Sequence, residues 1–188
     1  METHTARRLL TMGLICLCAA LLSGCVGTGN WRGKVEVELP AFGHRNWIVI
    51  ADSAYPKQSA DGIETIVTRA GQLEVLAYVL KQIEKTPHVQ ANILLDAELD
   101  SVSEEDAPGV SAYRAQLNEL LEGRRVERVV HENIIARLDK GAEMFNTLLL
   151  KTNMTVPYTS VFLELECGYW DAQKEKRLRE AFGRMESK

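Results

Sequence analysis

The chain lacks most of the signatures that announce cofactor or metal chemistry. Its 13 glycines form neither a G-x-G-x-x-G turn nor a P-loop, so nucleotide binding is not supported. None of its four histidines pairs at a spacing such as H-E-x-x-H, so no metal site is implied. No serine or cysteine sits in a nucleophile elbow. Its 22 Lys and Arg face 26 Asp and Glu for a net charge of −4, and no basic stripe stands out, which argues against nucleic acid as a partner. Cysteine is scarce at four residues, too few and too clustered for a disulfide framework. No repeat or low-complexity segment is present. The longest apolar stretch, residues 9–22, falls short of the roughly 20 residues that span a bilayer.

That short stretch is nonetheless informative. Arg7 and Arg8 precede it, and Leu22-Ser23-Gly24-Cys25 closes it. This is a secretory leader with small residues before a cysteine. It resembles a bacterial lipoprotein signal, which implies removal of residues 1–24 and lipidation of Cys25 as the new N-terminus. The expected location is the cell envelope, lipid-anchored on the periplasmic side of a membrane. Each buried methylene adds about 0.8 kcal/mol, so two or three acyl chains suffice for stable anchoring. The leader carries Arg7, Arg8 and Glu2, so the remaining 164 residues carry a net charge near −5. They suffice for one domain with its own core. With Cys25 lipidated, Cys167 has no partner within the chain, and its place after an apolar run predicts a buried, inert thiol.

Residues 25–38 read as a tether, glycine-rich over 26–33, with 34–39 a first strand or a continuation of the tether. Residues 39–168 read as the domain. Trp47-Ile48-Val49-Ile50-Ala51 is a short apolar run ending at Asp52, the pattern of a buried strand. Residues 63–68 form a second β-branched run. Leu73, Leu76, Val79, Leu80 and Ile83 recur at helical spacing until Pro87. Residues 91–95 are apolar again, and 100–108 form an acidic, turn-rich loop. Val110, Tyr113, Leu117, Leu120 and Leu121 mark another helix, with Gly123 as its stop. Strands are expected over 126–130, 147–150 and 161–165, a helix over 134–143, and a charged helix within 169–188. Strands alternating with amphipathic helices predict an α/β domain, its mostly parallel sheet flanked by helices on both faces.

The densest polar constellation surrounds the first internal strand: Gly43-His44 before it, Asp52 at its end, Pro56 after. Ligands of open α/β sheets bind beyond the carboxyl ends of strands, where Asp52 falls. An aspartate there also suits a turn or helix cap. The five-residue strand spans about 17 Å. His44 and Asp52 therefore meet only if the preceding segment folds back or two subunits share the site. His131 follows another strand, at a carboxyl end or simply at a helix start. His88, after Pro87, reads as a solvated loop residue. Tyr158 follows Pro157 and packs at the rim of the last strand.

Phe42-Gly43-His44, the run to Asp52 eight residues after the histidine, and Pro56 four residues later resemble the family of D-ribose pyranase and L-fucose mutarotase. The stretch 63–80 is similar to that family's next strand, glycine turn and helix. Tyr158-Thr159-Ser160-Val161-Phe162-Leu163, with Gly168 beyond, resembles its Tyr-x-Asn strand and closing glycine. The resemblance spans about 39–168. It implies His44 as general acid, and Asp52, Tyr158, Ser160 and His131 as monosaccharide-binding residues, with no cofactor and no metal. It also implies ring-like homo-oligomers, typically decamers, with sites near subunit contacts. Four features depart from the pattern: Ser160 stands where the family has asparagine, the interval from His131 to Tyr158 is longer than usual, and the lipoprotein leader and the charged helix after Gly168 are unusual for a family whose members are typically cytoplasmic and end near that glycine. A hydroxyl cannot reproduce the fixed donor and acceptor of an amide.

The implied reaction is interconversion of sugar rings or anomers, which needs only proton transfers. One group protonates the ring oxygen and another takes the anomeric proton. Histidine, with a reference pKa of about 6.5, suits either role, and each positioned group contributes about 10²–10⁴-fold. The alternative is an envelope lipoprotein that binds a monosaccharide without turnover, or a structural one that kept only the fold.

Overall fold

The computed structural model describes residues 30–186. The lipoprotein leader and Cys25 lie outside these residues. The elements follow in chain order: α1 (Trp31–Glu38), β1 (Trp47–Ala51), β2 (Ile63–Val67), α2 (Gln72–Glu84), β3 (Val89–Asp96), a 3₁₀ turn (Ala97–Ser101), α3 (Val110–Leu120), β4 (Val126–Val129), α4 (His131–Ala142), β5 (Thr147–Lys151), β6 (Val161–Cys167) and α5 (Ala172–Glu186).

One six-stranded sheet runs in the order β2-β5-β1-β6-β3-β4. β1 pairs parallel with β5, as do β2 with β5 and β3 with β4. β6 is antiparallel to both its neighbours, β1 and β3. The expected mostly parallel α/β sheet is therefore present, with one reversed strand at its middle. That reversal brings the start of β6 to the edge where β1 and β3 end.

The apolar run of β1 is buried at every residue because both faces of the sheet are covered. Ile48 and Ile50 join Val75, Leu76, Val79, Tyr113 and Leu117 in one cluster, under α1, α2 and α3. Trp47, Val49 and Ala51 alternate to the other face, against Ile134 and Leu138 of α4. Fully burying one such side chain contributes about 1.5–3 kcal/mol. Gly141 belongs to this packing: a Cβ there would stand 3.0 Å from Nε1 of Trp47.

Residues 31–38 correct the sequence reading. They form α1, not a strand or tether. Asn30 accepts a hydrogen bond from the Gly33 N–H and caps the helix. Trp31, Val35 and Leu39, four apart, are buried, whereas Val37 is 70% exposed. The Val35/Val37 alternation that suggested a strand thus has no buried face behind it. Two further expectations differ. Cys167 is half-buried rather than buried. His88 is half-buried too, its Nε2 2.9 Å from the Phe42 carbonyl oxygen.

α5 leaves Leu178, Phe182 and Met185 exposed. Among the described residues no helix is long and apolar enough to cross a membrane.

Candidate functional site

Four chain segments meet at the carboxyl edge of the sheet: the ends of β1 and β3, the start of α4 and the loop into β6. They enclose a cavity of about 370 Å³ lined by Asp52, Tyr55, Pro56, Gln58, Asp96, His131, Tyr158 and their neighbours. This is at the small end of the range for small-molecule sites, about 300–1,000 Å³. Three lining residues carry buried side-chain oxygens with no partner: Tyr55 Oη, Gln58 Oε1 and Asp96 Oδ2. Such atoms cost about 1–3 kcal/mol each when left unpaired, and their concentration here marks a surface suited to a polar ligand.

Asp52 is held on both oxygens. Its Oδ1 accepts from the N–H groups of Ala54 (2.8 Å) and Tyr55 (3.1 Å), an Asx turn leaving β1. Ser160 donates its hydroxyl to Oδ2 at 3.0 Å. The Asp52 N–H lies 3.3 Å from the same hydroxyl. Asp52 thus shapes the turn and lines the cavity as well. Ser160, 2% exposed, stands behind the aspartate and is not in the cavity wall.

His131 is the first residue of α4, whose N-cap, Val130, has no side-chain cap. Glu98, from the 3₁₀ turn, substitutes: both its oxygens accept from the His131 N–H at 3.1 Å. Nδ1 of His131 stands 3.0 Å from Oδ1 of Asp96. Burial pushes the Asp96 carboxyl up to about 6, against the pull of the His131 hydrogen bond and charge, with Glu98 and Asp52 adding repulsion. Tyr158 meets the His131 ring edge-on, centroids 5.7 Å apart. It occupies the left-handed region at φ 58°, an unusual place for an aromatic residue. Tyr55 packs on Phe162 at 6.3 Å, and burial raises its phenol.

Beneath the cavity Gln72 ties the strand ends together. Its Nε2 donates to the carbonyls of Ile50 (2.9 Å) and Thr159 (2.8 Å). The Thr152 hydroxyl lies within hydrogen-bond reach of Gln72 Oε1, and Tyr113 donates to the Thr159 carbonyl at 3.0 Å.

Of the residues singled out from the sequence, the fold brings Asp52, His131 and Tyr158 to one cavity, with Ser160 supporting the first. It does not bring His44 there within one chain. His44 is exposed in the turn before β1, at the other end of that strand. Asp96, Glu98, Tyr55, Gln58 and Gln72 were missed. Asp96 carried a usable signal, a lone charge at the end of the apolar run 91–95.

A mixed α/β sheet with a cavity at its carboxyl edge, lined by carboxylates, a histidine and two tyrosines, defines the class: an α/β domain with a pocket of small-molecule size. More particularly, the chain belongs to the RbsD / FucU transport protein family, whose family model matches residues 34–167. Helix α5 lies beyond the match. No curated protein matches the sequence. Among solved structures, RbsD of Bacillus subtilis complexed with D-ribose is 19% identical, covers 72% of this chain and 92% of its own, and gives a TM-score of 0.51. This likeness is one of fold. The fucose mutarotase from Streptococcus pneumoniae, in complex with L-fucose, is 20% identical over 71% of this chain and 91% of its own, with a TM-score of 0.49. FucU from Bifidobacterium longum is 13% identical over 71% of this chain and 96% of its own, at 0.44.

Proposed function

We propose that this protein interconverts ring forms or anomers of a monosaccharide by general acid–base catalysis, without cofactor or metal, while anchored in the cell envelope by a lipid on Cys25. The observation that carries the reading is the convergence of Asp52, His131 and Tyr158 on one cavity of about 370 Å³. The family's solved structures with D-ribose and L-fucose make a monosaccharide the natural class of ligand.

The acid in this reading is His44, donated by a second copy of the chain. A five-residue strand separates it from the cavity of its own chain, and a ring-like homo-oligomer such as a decamer removes that distance. The acid protonates the ring oxygen while a base takes the anomeric proton. The C1–O bond of the ring breaks, the aldehyde turns, and closure reverses both transfers. Asp52 and Tyr158 hold the sugar meanwhile, with Ser160 keeping Asp52 in place.

Saturation-transfer NMR on ribose and fucose tests this. Wild type should speed anomeric exchange, and His44→Ala should return it to background with the fold intact. Equal rates for the two proteins remove His44 as the acid, and no acceleration of any sugar by wild type overturns the enzyme reading.

Binding without turnover is a second reading. It is favoured by Asp52, whose oxygens are already engaged by Ala54, Tyr55 and Ser160. Line broadening without exchange would select it. Intact-mass analysis of membrane-extracted protein tests the anchor, with loss of residues 1–24 and added acyl mass on Cys25 expected.

A further inference from the structure

Asp96 is the one fully buried carboxylate in the cavity wall, at 0% exposure. Its two oxygens are unequal: Oδ1 meets His131 Nδ1 at 3.0 Å, whereas Oδ2 is buried without a partner. The histidine it faces is restrained at three points. Glu98 holds its backbone N–H, Tyr158 packs against its ring, and Asp96 takes its Nδ1 side.

We propose that Asp96 is a positioning residue that keeps the proton of neutral His131 on Nδ1 and so presents Nε2 to the cavity as the acceptor of the sugar's anomeric proton. This rests on the acid–base reading above and completes it by supplying the base.

An ionised carboxylate only accepts, so its hydrogen bond with Nδ1 places the proton on that nitrogen. Nε2, across the ring, keeps its lone pair for the cavity that His131 lines. During ring opening the O–H pair at C1 becomes the second bond of the aldehyde, and its proton goes to Nε2. The C1–O ring pair leaves with the ring oxygen, which takes a proton from the acid. Closure returns both protons. The imidazolium formed in between stands at the amino end of α4, whose dipole opposes a positive charge. Asp96 counters that end with a negative charge inside the fold. The other groups around the pair are Asp52 after β1, Glu98 in the 3₁₀ turn, Tyr55 and Tyr158 in the loops, and Glu132 on α4 itself. Among the described residues, only Asp96 hydrogen-bonds a ring nitrogen of His131, so Asp96 is the group placed to select the tautomer.

The test combines long-range ¹H–¹⁵N spectra of the histidines with exchange kinetics on ribose and fucose, using the full chain. Wild type should show His131 with Nδ1 protonated. Asp96→Ala should release it to the Nε2–H tautomer and lower kcat about a hundredfold, with KM changed less than about threefold. Asp96→Asn, which keeps an acceptor but no charge, should restore the tautomer and recover part of kcat. A merely structural Asp96 would move stability and leave the tautomer unchanged. An Nε2–H tautomer in wild type, or an unchanged kcat in Asp96→Ala, overturns the proposal. If wild type accelerates no sugar, the enzyme reading and the acceptor role fall together, and the spectra still decide whether Asp96 orients His131.

Discussion

Replacing Gln72 with methionine should destabilise the domain by about 2–3 kcal/mol, although volume and helix propensity barely change. The side chain is 2% exposed and makes three hydrogen bonds, to the Ile50 and Thr159 carbonyls and from the Thr152 hydroxyl. A net contribution of about 1 kcal/mol each gives roughly 3 kcal/mol. Two partners have fallbacks that trim the total: Thr159 keeps the Tyr113 hydroxyl, and Thr152 keeps the Ala51 carbonyl 2.9 Å away. For a domain of this size, 2–3 kcal/mol lowers Tm by about 4–12 °C. Leu76→Met on the same helix, also buried, is the control for shape and should cost under about 1.5 kcal/mol. Because Gln72 joins the end of β1 to the residue after Tyr158, sugar binding should weaken in parallel. Thermal and urea unfolding of the three proteins measure this. A Gln72→Met melting point within about 2 °C of wild type would refute the polar tie between strand ends.

Gly168→Ala should cost about 1–3 kcal/mol by urea unfolding, because its Cβ would stand 2.6 Å from the Pro87 carbonyl oxygen and 2.8 Å from that of Val89. Asp96 binds its proton more tightly in the fold, at about 6 against 3.8. The stability it contributes is therefore fully present below about pH 4 and lost as pH rises through about 6. Asp96→Asn should flatten the decline in urea midpoint between pH 4 and 7, and parallel profiles for the two proteins would contradict that sign. Tyr158→Asn should relieve about 1 kcal/mol of left-handed strain at φ 58° and raise Tm, while removing the ring against His131 and weakening sugar binding by NMR titration.

Much of the sheet was legible because its central strand is buried on both faces, so Trp47–Ala51 shows as an unbroken apolar run. The reversal of β6 was not legible. Its first residues, Val161-Phe162-Leu163, are as continuously apolar as those of a parallel strand, and direction is set by the hydrogen bonds to β1 and β3. Helix α1 was hidden by two valines two apart, only one of which faces the core. At the site, Asp52, His131 and Tyr158 were visible because each adjoins a recognisable strand or proline. Gln72 was not visible, and Asp96 showed only as a lone charge ending an apolar run, since their roles lie in partners 87 and 35 residues away in sequence. Nothing local to Asp96 says that a histidine will face it.

The cavity wall draws on Asp52, Asp96, His131 and Tyr158, which are spread across more than half of the chain. No fragment ending before Tyr158 can form it, so a growing polypeptide acquires the pocket only once synthesis has passed Tyr158. Whatever ligand fills the pocket then binds only the finished fold, and holds the whole domain together rather than one corner of it. Its presence would register as a rise in global melting temperature, growing with ligand concentration as RT ln(1 + [L]/Kd). A panel of sugars can therefore be ranked by heat alone, before any turnover is measured.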